Sequence, residues 1–111
     1  MSEKTCPVET AVNLVGAKWK IMIIYRLMDG TKRFNELRRL LPGVTQRMLT
    51  LHLRELENDG LIARTVYPEV PPRVEYTLTE AGQSLTPILT QLGDWAAAYE
   101  KKRAPQSPTT S

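Results

Sequence analysis

The chain has little of what several classes of protein require. It carries one cysteine, Cys6, and one histidine, His52, among 111 residues. One cysteine forms no internal disulfide, and no cluster of cysteines and histidines is present to hold a structural metal. Catalysis by Cys6 would need a base beside it, and the only histidine falls in a different predicted helix. We therefore expect no enzyme, no metal site and no cofactor, and we interpret His52 as structural.

Long apolar segments are absent as well. The longest uninterrupted apolar run extends only from Ile21 to Tyr25, whereas a membrane-spanning helix needs about 20 residues. The first ten residues contain no apolar core of a secretory signal. We therefore expect a cytoplasmic protein with no membrane partner. Residues 1–103 are predicted to form one domain, and the polar, proline-containing residues 104–111 a disordered tail.

What the chain does have is a concentrated block of positive charge. The formal net charge is +3, but the segment from Gly30 to Arg54 contains six basic residues and a single acidic one, Glu36. The six are Lys32, Arg33, Arg38, Arg39, Arg47 and Arg54. Such a segment is typical of a phosphate-binding surface. A solvated helix surface has the same composition, so the order of the structural elements has to decide between the two.

Hydrophobic periodicity and helix boundary signals predict four helices in the first half of the chain. Pro7 suits the first position of a short helix that Gly16 ends. The next helix spans about residues 18–28, and a shorter one spans about residues 35–41. Thr45 caps a fourth helix that reaches about Asn58, with Gly60 behind it as a left-handed terminator.

After the fourth helix, the hydrophobic pattern changes from one typical of a helix to one typical of strands. Residues 61–67 and 73–78 are rich in β-branched and aromatic side chains and predict two strands. The proline-rich residues 68–72 between them form the stiff tip of a hairpin. Thr79 then caps a last helical region, in which Gly82 and Pro87 mark a bend.

This order predicts a mainly α protein with a small antiparallel β-hairpin, the α+β arrangement of a winged helix-turn-helix. The helices over residues 35–41 and 45–58 form the bihelical unit. In helical projection Leu49, Leu53 and Leu56 point inward. The predicted DNA-binding side chains of the second helix are Thr45, Gln46, Arg47, Thr50, Leu51 and Arg54. Arginine bonds guanine, and an exposed leucine can touch a thymine methyl, so this helix is suited to a major groove.

Further basic residues are predicted to support that contact. The residues predicted to bind DNA phosphates are Lys32, Arg33, Arg38 and Arg39. Such contacts position the protein on the duplex without recognising the base sequence. Arg64 and Arg73 flank the hairpin tip, which can follow the DNA backbone or enter the minor groove. Double-stranded DNA is therefore the expected partner.

An apolar stripe runs along the last helix, and the small upstream core cannot cover it entirely. The stripe could pack on the chain's own domain, but we expect it to form an interface with a second copy of the chain. The predicted interface residues of this helix are Leu85, Ile88, Leu89, Leu92, Trp95 and Tyr99. Another copy of the chain is therefore a second expected partner.

The residues that carry a family resemblance extend over almost the whole predicted fold. The chain resembles the HxlR-type regulators, relatives of the MarR group, in several blocks. These are residues 6–9, 16–20, 33–37, 45–50, 53–57, 59–61 and 66–76. The resemblance implies a dimeric transcriptional regulator whose N- and C-terminal helices form the interface, which adds Val8 of the first helix to the predicted interface residues. It also implies that the two winged units bind a roughly palindromic operator. It specifies neither the operator nor whether binding represses or activates.

The resemblance also bears on Cys6. Several family members respond to electrophiles, quinones or oxidants through a cysteine at the matching position, but those that form an intersubunit disulfide often use a second cysteine, which this chain lacks. A helix N-terminus and the nearby Lys4 favour a reactive thiolate. A lone cysteine is, on the other hand, usually a small packing residue. Both interpretations stay open, as do a small-molecule effector in place of cysteine sensing and a winged-helix interaction module that does not bind DNA.

Overall fold

The computed structural model describes residues 6–103. The predicted disordered tail at 104–111 and the charge of Lys4 lie outside the described residues. Within them, no helix is both long enough and apolar enough to cross a lipid bilayer.

Four helices form the first part of the domain. They are α1 (Pro7–Val15), α2 (Lys18–Leu27), α3 (Phe34–Leu40) and α4 (Gln46–Asn58). Gly16 follows α1 as predicted, and Gly60 behind α4 adopts the expected positive φ of +78°. The Thr45 hydroxyl accepts a hydrogen bond from the Met48 backbone N–H at 3.0 Å and so caps α4. These boundaries confirm the predicted helices to within one or two residues.

The sheet has one strand more than the predicted hairpin. Strands β2 (Ile62–Tyr67) and β3 (Arg73–Leu78) pair antiparallel as expected, but β1 (Lys32–Arg33) pairs with the other edge of β3. The predicted hairpin is therefore confirmed, and the sequence analysis missed only its third, two-residue strand. A strand of two residues is too short to show an alternation of apolar and polar side chains. It is defined only by its pairing with β3, which lies more than forty residues further along the chain.

The last helical region divides into α5 (Glu80–Gln83) and α6 (Thr86–Arg103). Thr79 caps α5, because its hydroxyl oxygen accepts a hydrogen bond from Gly82 N–H at 3.1 Å. Pro87 then lies in the first turn of α6, where a proline costs the helix no hydrogen bond. The bend predicted from Gly82 and Pro87 is thus a break between two helices.

One apolar core joins the helices to the sheet. Its largest fully buried side chains are Ile23, Ile24, Leu37, Leu41, Leu49, Leu53, Leu56 and Ile62. Helix α4 packs against α2 and β2, and α6 buries no residue at all. The fold is therefore a winged helix-turn-helix, in which α3 and α4 form the bihelical unit, β2 and β3 with residues 68–72 form the wing, and α6 extends away from the core.

Candidate nucleic-acid interface

Helix α4 has a buried side and an exposed side. Leu49, Leu53 and Leu56 are at most 2% exposed and anchor the helix in the core. The opposite side carries Arg47, Thr50, Leu51 and Arg54, and Gln46 lies at the start of the first turn. All five are exposed, and we call these five residues the reading face. Leu51 is 46% exposed between the two arginines. The structure thus brings together the side chains that the sequence assigned to one surface.

Within residues 6–103, the two arginines of the reading face have no carboxylate partner. Among the ion pairs between described residues, none includes Arg47 or Arg54. Because their guanidinium groups are exposed and uncompensated, they are available to bases or phosphates. The hydroxyl of Thr45 is instead used within the chain, as the cap of α4.

An ion pair behind the reading face fixes α4 on α2. The ammonium group of the buried Lys20 lies 2.9 Å from Glu55 Oε1. The hydrogen bond from Lys20 holds the pKa of Glu55 below its ordinary value, with further lowering by the charge of Lys20 and by His52. His52 is mostly buried, and its Nδ1 lies 3.7 Å from the same carboxylate oxygen. The sequence analysis did not identify this pair, because nothing local marks Lys20 as buried.

The predicted phosphate-binding residues differ in their surroundings. Arg33, Arg38 and Arg39 are exposed. Lys32 is half-buried, and its Nζ lies 2.8 Å from Asp29 Oδ1. The pKa of Asp29 is lowered by that hydrogen bond and by the charge of Lys32. In the part of the chain that the structure describes, the three arginines form no ion pair, whereas the charge of Lys32 is matched by Asp29.

The two predicted wing arginines are both paired. Arg64 Nε lies 3.6 Å from Glu57 Oε1, at the end of α4. Arg73 contacts Glu69 at 3.1 Å and Glu75 at 3.4 Å, and its guanidinium carbon lies 4.1 Å from the centre of the Tyr67 ring. Arg73 is thus surrounded by wing residues rather than facing solvent freely.

The structure adds two candidates that the sequence analysis missed. Asn58 is exposed and lies three helical turns after Arg47, on the same side of α4. Asn35 lines a shallow depression of about 310 Å³ with Arg38 and Arg39. A helical projection continued to the end of α4 would have found Asn58, whereas Asn35 needed the tertiary structure.

A second surface, on α1 and α6, is apolar. Val8, Ile88, Leu92, Trp95 and Tyr99 are between 46% and 69% exposed; we call these five residues the apolar face. Two further predicted interface residues, Leu85 just before α6 and Leu89 within it, are instead half-buried against the domain's own core. Val12, which the prediction left out, is 58% exposed on α1.

Cys6 lies at the N-cap of α1 and is exposed. The backbone N–H groups of Glu9 and Val8 lower the pKa of its thiol. The sulfur accepts no full capping hydrogen bond. The lowered pKa agrees with the expectation that a helix N-terminus stabilises the thiolate.

Comparison with known proteins places the whole fold among regulators. The HxlR-like helix-turn-helix model matches residues 14–104. The chain is 56% identical over 97 residues to YdeP of Bacillus subtilis (strain 168), an uncharacterised HTH-type transcriptional regulator. The matched region covers 87% of this chain and 76% of YdeP. It superposes on the redox regulator HypR in its oxidised form with a TM-score of 0.79 and 55% identity, covering 84% of this chain and 96% of that one. The chain also superposes on the reduced form of YodB from B. subtilis, with a TM-score of 0.73 and 42% identity. This match covers 83% of this chain and 91% of the YodB chain.

Proposed function

Because the chain belongs to the HxlR-like helix-turn-helix family, whose relatives are transcriptional regulators, we propose that it binds duplex DNA sequence-specifically as a homodimer. The observation that carries this proposal is the reading face. It places two unpaired arginines, two polar side chains and an exposed leucine on a helix that leucines anchor from behind. A surface that met only water would not need an exposed leucine between arginines.

Shape and charge around the reading face support the same proposal. The first turn of α4, with Gln46 and Arg47, is the part of a recognition helix that meets base edges in the major groove. Arg33, Arg38 and Arg39 surround it with exposed cations that can hold phosphates. A module that bound only protein would not require these cations.

The apolar face supports dimerisation. Trp95 and Tyr99 stack with their ring centres 5.4 Å apart, yet Trp95 remains 63% exposed. Helix α6 has 18 residues and buries none of them within the described part of the chain. Exposed apolar side chains that repeat along one side of a helix, as Ile88, Leu92, Trp95 and Tyr99 do on α6, are typical of an interface. Two copies joined through α1 and α6 would present two reading faces to successive major grooves.

Cys6 is proposed as a sensor of electrophiles or oxidants. HypR is a redox regulator, and YodB has also been described in a diamide-treated form. In this chain the thiol is exposed, has a lowered pKa and lies on α1, next to the apolar face. An adduct there would alter the spacing of two protomers joined through α1. A small-molecule effector is the alternative signal.

The experiment that tests DNA binding is a genomic binding screen with the purified full-length chain. Genomic fragments retained by the protein are sequenced and searched for a shared motif. We expect a roughly palindromic site with half-sites one helical turn apart, about 34–36 Å from centre to centre. Retention of fragments without any shared motif would contradict sequence-specific binding.

A further inference from the structure

The negative and the positive charges of α4 have different surroundings. The two carboxylates of the helix, Glu55 and Glu57, are each paired with a cation from another element. Lys20 of α2 lies 2.9 Å from Glu55 Oε1, and Arg64 of β2 lies 3.6 Å from Glu57 Oε1. The two arginines of the reading face form no ion pair with any residue that the structure describes. The fold therefore cancels the negative charges of α4 and leaves its positive charges exposed.

The pair of Lys20 with Glu55 is the shorter and the more enclosed of the two. Lys20 is buried, whereas Arg64 is exposed. A buried ammonium group without a carboxylate partner is strongly destabilising, so Lys20 stays with Glu55. His52 Nδ1 lies 3.7 Å from the same carboxylate oxygen, which is beyond hydrogen-bond distance. Lys20 is therefore the main group that compensates the charge of Glu55.

Glu55 lies at the edge of the reading face. It follows Leu51 by four residues, so the two side chains are neighbours on the surface of α4. Its side chain is half-exposed, and the hydrogen bond from Lys20 lowers its pKa, so the carboxyl group is ionised at neutral pH. A helix with its side chains is about 10–12 Å wide and the major groove about 12 Å, so the edges of a recognition helix face phosphates. An uncompensated carboxylate at this edge would repel the DNA.

We infer that Lys20 is a positioning residue for DNA recognition, an inference that rests on the proposed DNA-binding function. Its ammonium group holds the Glu55 carboxylate toward α2 and cancels its charge, so that α4 enters the groove without repelling the phosphates. Lys20 itself does not contact DNA, because its side chain is buried and its charge is used within the protein. A residue of α2 outside the reading face thus contributes to affinity without touching the operator.

Lys20→Met removes the cation and keeps a long side chain in its place. We expect this variant to bind an operator from the genomic screen roughly tenfold more weakly at low salt. Two unit charges about 7 Å apart in water interact by about RT, which is roughly threefold in affinity for each protomer. The slope of log binding constant against log salt should flatten by up to about 0.9 for each protomer, since the carboxylate offsets one neutralised phosphate. Lys101→Met removes the same charge at the far end of α6 and should bind as wild type does.

The double variant Lys20→Met/Glu55→Gln tests whether Lys20 acts through Glu55. No charge is left at the pair, and replacing a buried ion pair by neutral side chains is often close to neutral for stability. The buried leucines of α4 still anchor the helix. We therefore expect the double variant to recover the affinity and the salt slope of wild type. A double variant as weak as Lys20→Met would overturn the assignment, because Lys20 would then contact DNA or act only through the fold.

Glu55→Gln separates the effect of charge from the effect of stability. We expect this variant to be less stable than wild type, because the buried Lys20 loses its partner. It should nevertheless bind the operator at least as tightly, because the edge of the reading face gains positive charge. Urea unfolding and a binding titration on the same preparation measure both, with Glu100→Gln on α6 as the control for loss of an exposed carboxylate. Weaker binding by Glu55→Gln would overturn the inference, since the pair would then act only by stabilising the fold.

The outcomes also separate this inference from the proposed function. A Lys20→Met protein with wild-type affinity and salt slope on a selected operator overturns the role of Lys20 alone, because specific binding persists. A wild-type protein that selects no site overturns the proposed function and this inference together.

Discussion

Cys6 combines exposure with a lowered thiol pKa. Because the chain has only one cysteine, every thiol signal in the native protein comes from this residue. We predict that the rate of alkylation by iodoacetamide rises with pH through a midpoint below about 8.5, the value of an ordinary cysteine. The same titration on urea-unfolded protein provides the reference. Identical midpoints in the folded and unfolded chain would show that the helix N-terminus does not activate the thiol.

The regulatory role of Cys6 is tested separately from its pKa. We expect diamide or a quinone to change the affinity of the wild-type protein for its operator, whereas Cys6→Ser binds with unchanged affinity after treatment. A gel-shift titration measures both. A Cys6→Ser protein that still responds would place the sensing elsewhere, and a wild type that does not respond would leave Cys6 as a packing residue.

The Lys20–Glu55 pair makes a pH-dependent contribution to stability. Since the folded-state pKa of Glu55 is lowered, this contribution is fully present above the unfolded pKa, about 4.3, and is lost as the pH falls through the lower folded-state value. We predict that Glu55→Gln is less stable than wild type at pH 5.5, because it leaves the charge of the buried Lys20 uncompensated, and that the difference closes toward pH 3.

Urea unfolding at several pH values measures this difference. Glu100→Gln, which removes a carboxylate from an exposed position on α6, serves as the control for the change of net charge. A difference between Glu55→Gln and wild type that stayed constant from pH 5.5 to 3 would contradict a stabilising ion pair.

Among the elements, α5 packs directly against the backbone of Leu61 through Gly82. Gly82 is buried in it, and a Cβ at this position would overlap the backbone carbonyl oxygen of Leu61 and approach Leu78 at 3.1 Å. Alanine would gain about 1 kcal/mol in helix propensity, but overpacking against a backbone atom costs about 1–3 kcal/mol. We therefore predict that Gly82→Ala lowers the free energy of unfolding.

Gly93 supplies the matched control for Gly82. It lies in α6 with no atom within 4 Å of a Cβ built there, so Gly93→Ala should leave stability unchanged or raise it by up to about 1 kcal/mol. Thermal or urea denaturation measures the change in the free energy of unfolding for both variants. Equal stability of Gly82→Ala and wild type would show that α5 shifts at no cost.

The elements also show where sequence-based prediction was sufficient. Helix α4 was predicted to within a residue, since its cap, its leucine spacing and the following glycine all lie within the segment. Strand β1 was missed because it exists only through its pairing with β3. The reading face followed from helical periodicity. The engagement of Arg73 by Glu69, Glu75 and Tyr67 could not be predicted, because it depends on how the wing loop folds back.

At the scale of the whole molecule, α6 is the part that remains unpartnered. The radius of gyration is 16.7 Å, whereas a compact domain of 100 residues has a value of about 13 Å. The larger value agrees with a helix that extends from the core. We predict that Trp95→Glu weakens self-association by roughly 30-fold or more, since buried aromatic anchors contribute about 2 kcal/mol or more to interfaces. Analytical ultracentrifugation measures the dimer dissociation constant.

Ala97→Glu introduces the same charge on the opposite side of α6, where the side chain is exposed. It should leave the dissociation constant near that of wild type. A wild-type chain that sediments as a monomer at micromolar concentration, or equal effects of the two glutamates, would contradict an interface on the apolar face.

The central claim is that α4 reads DNA sequence through its reading face. The most direct measurement is the affinity of wild type, Arg47→Ala and Lys101→Ala for the selected operator and for a set of single-base variants of it. Lys101 lies at the far end of α6 and controls for loss of one positive charge. We predict that Arg47→Ala loses about 1–3 kcal/mol on the operator and discriminates poorly at one position in each half-site, while Lys101→Ala binds and discriminates as wild type does. An Arg47→Ala protein with wild-type affinity and wild-type discrimination at every position would contradict the account.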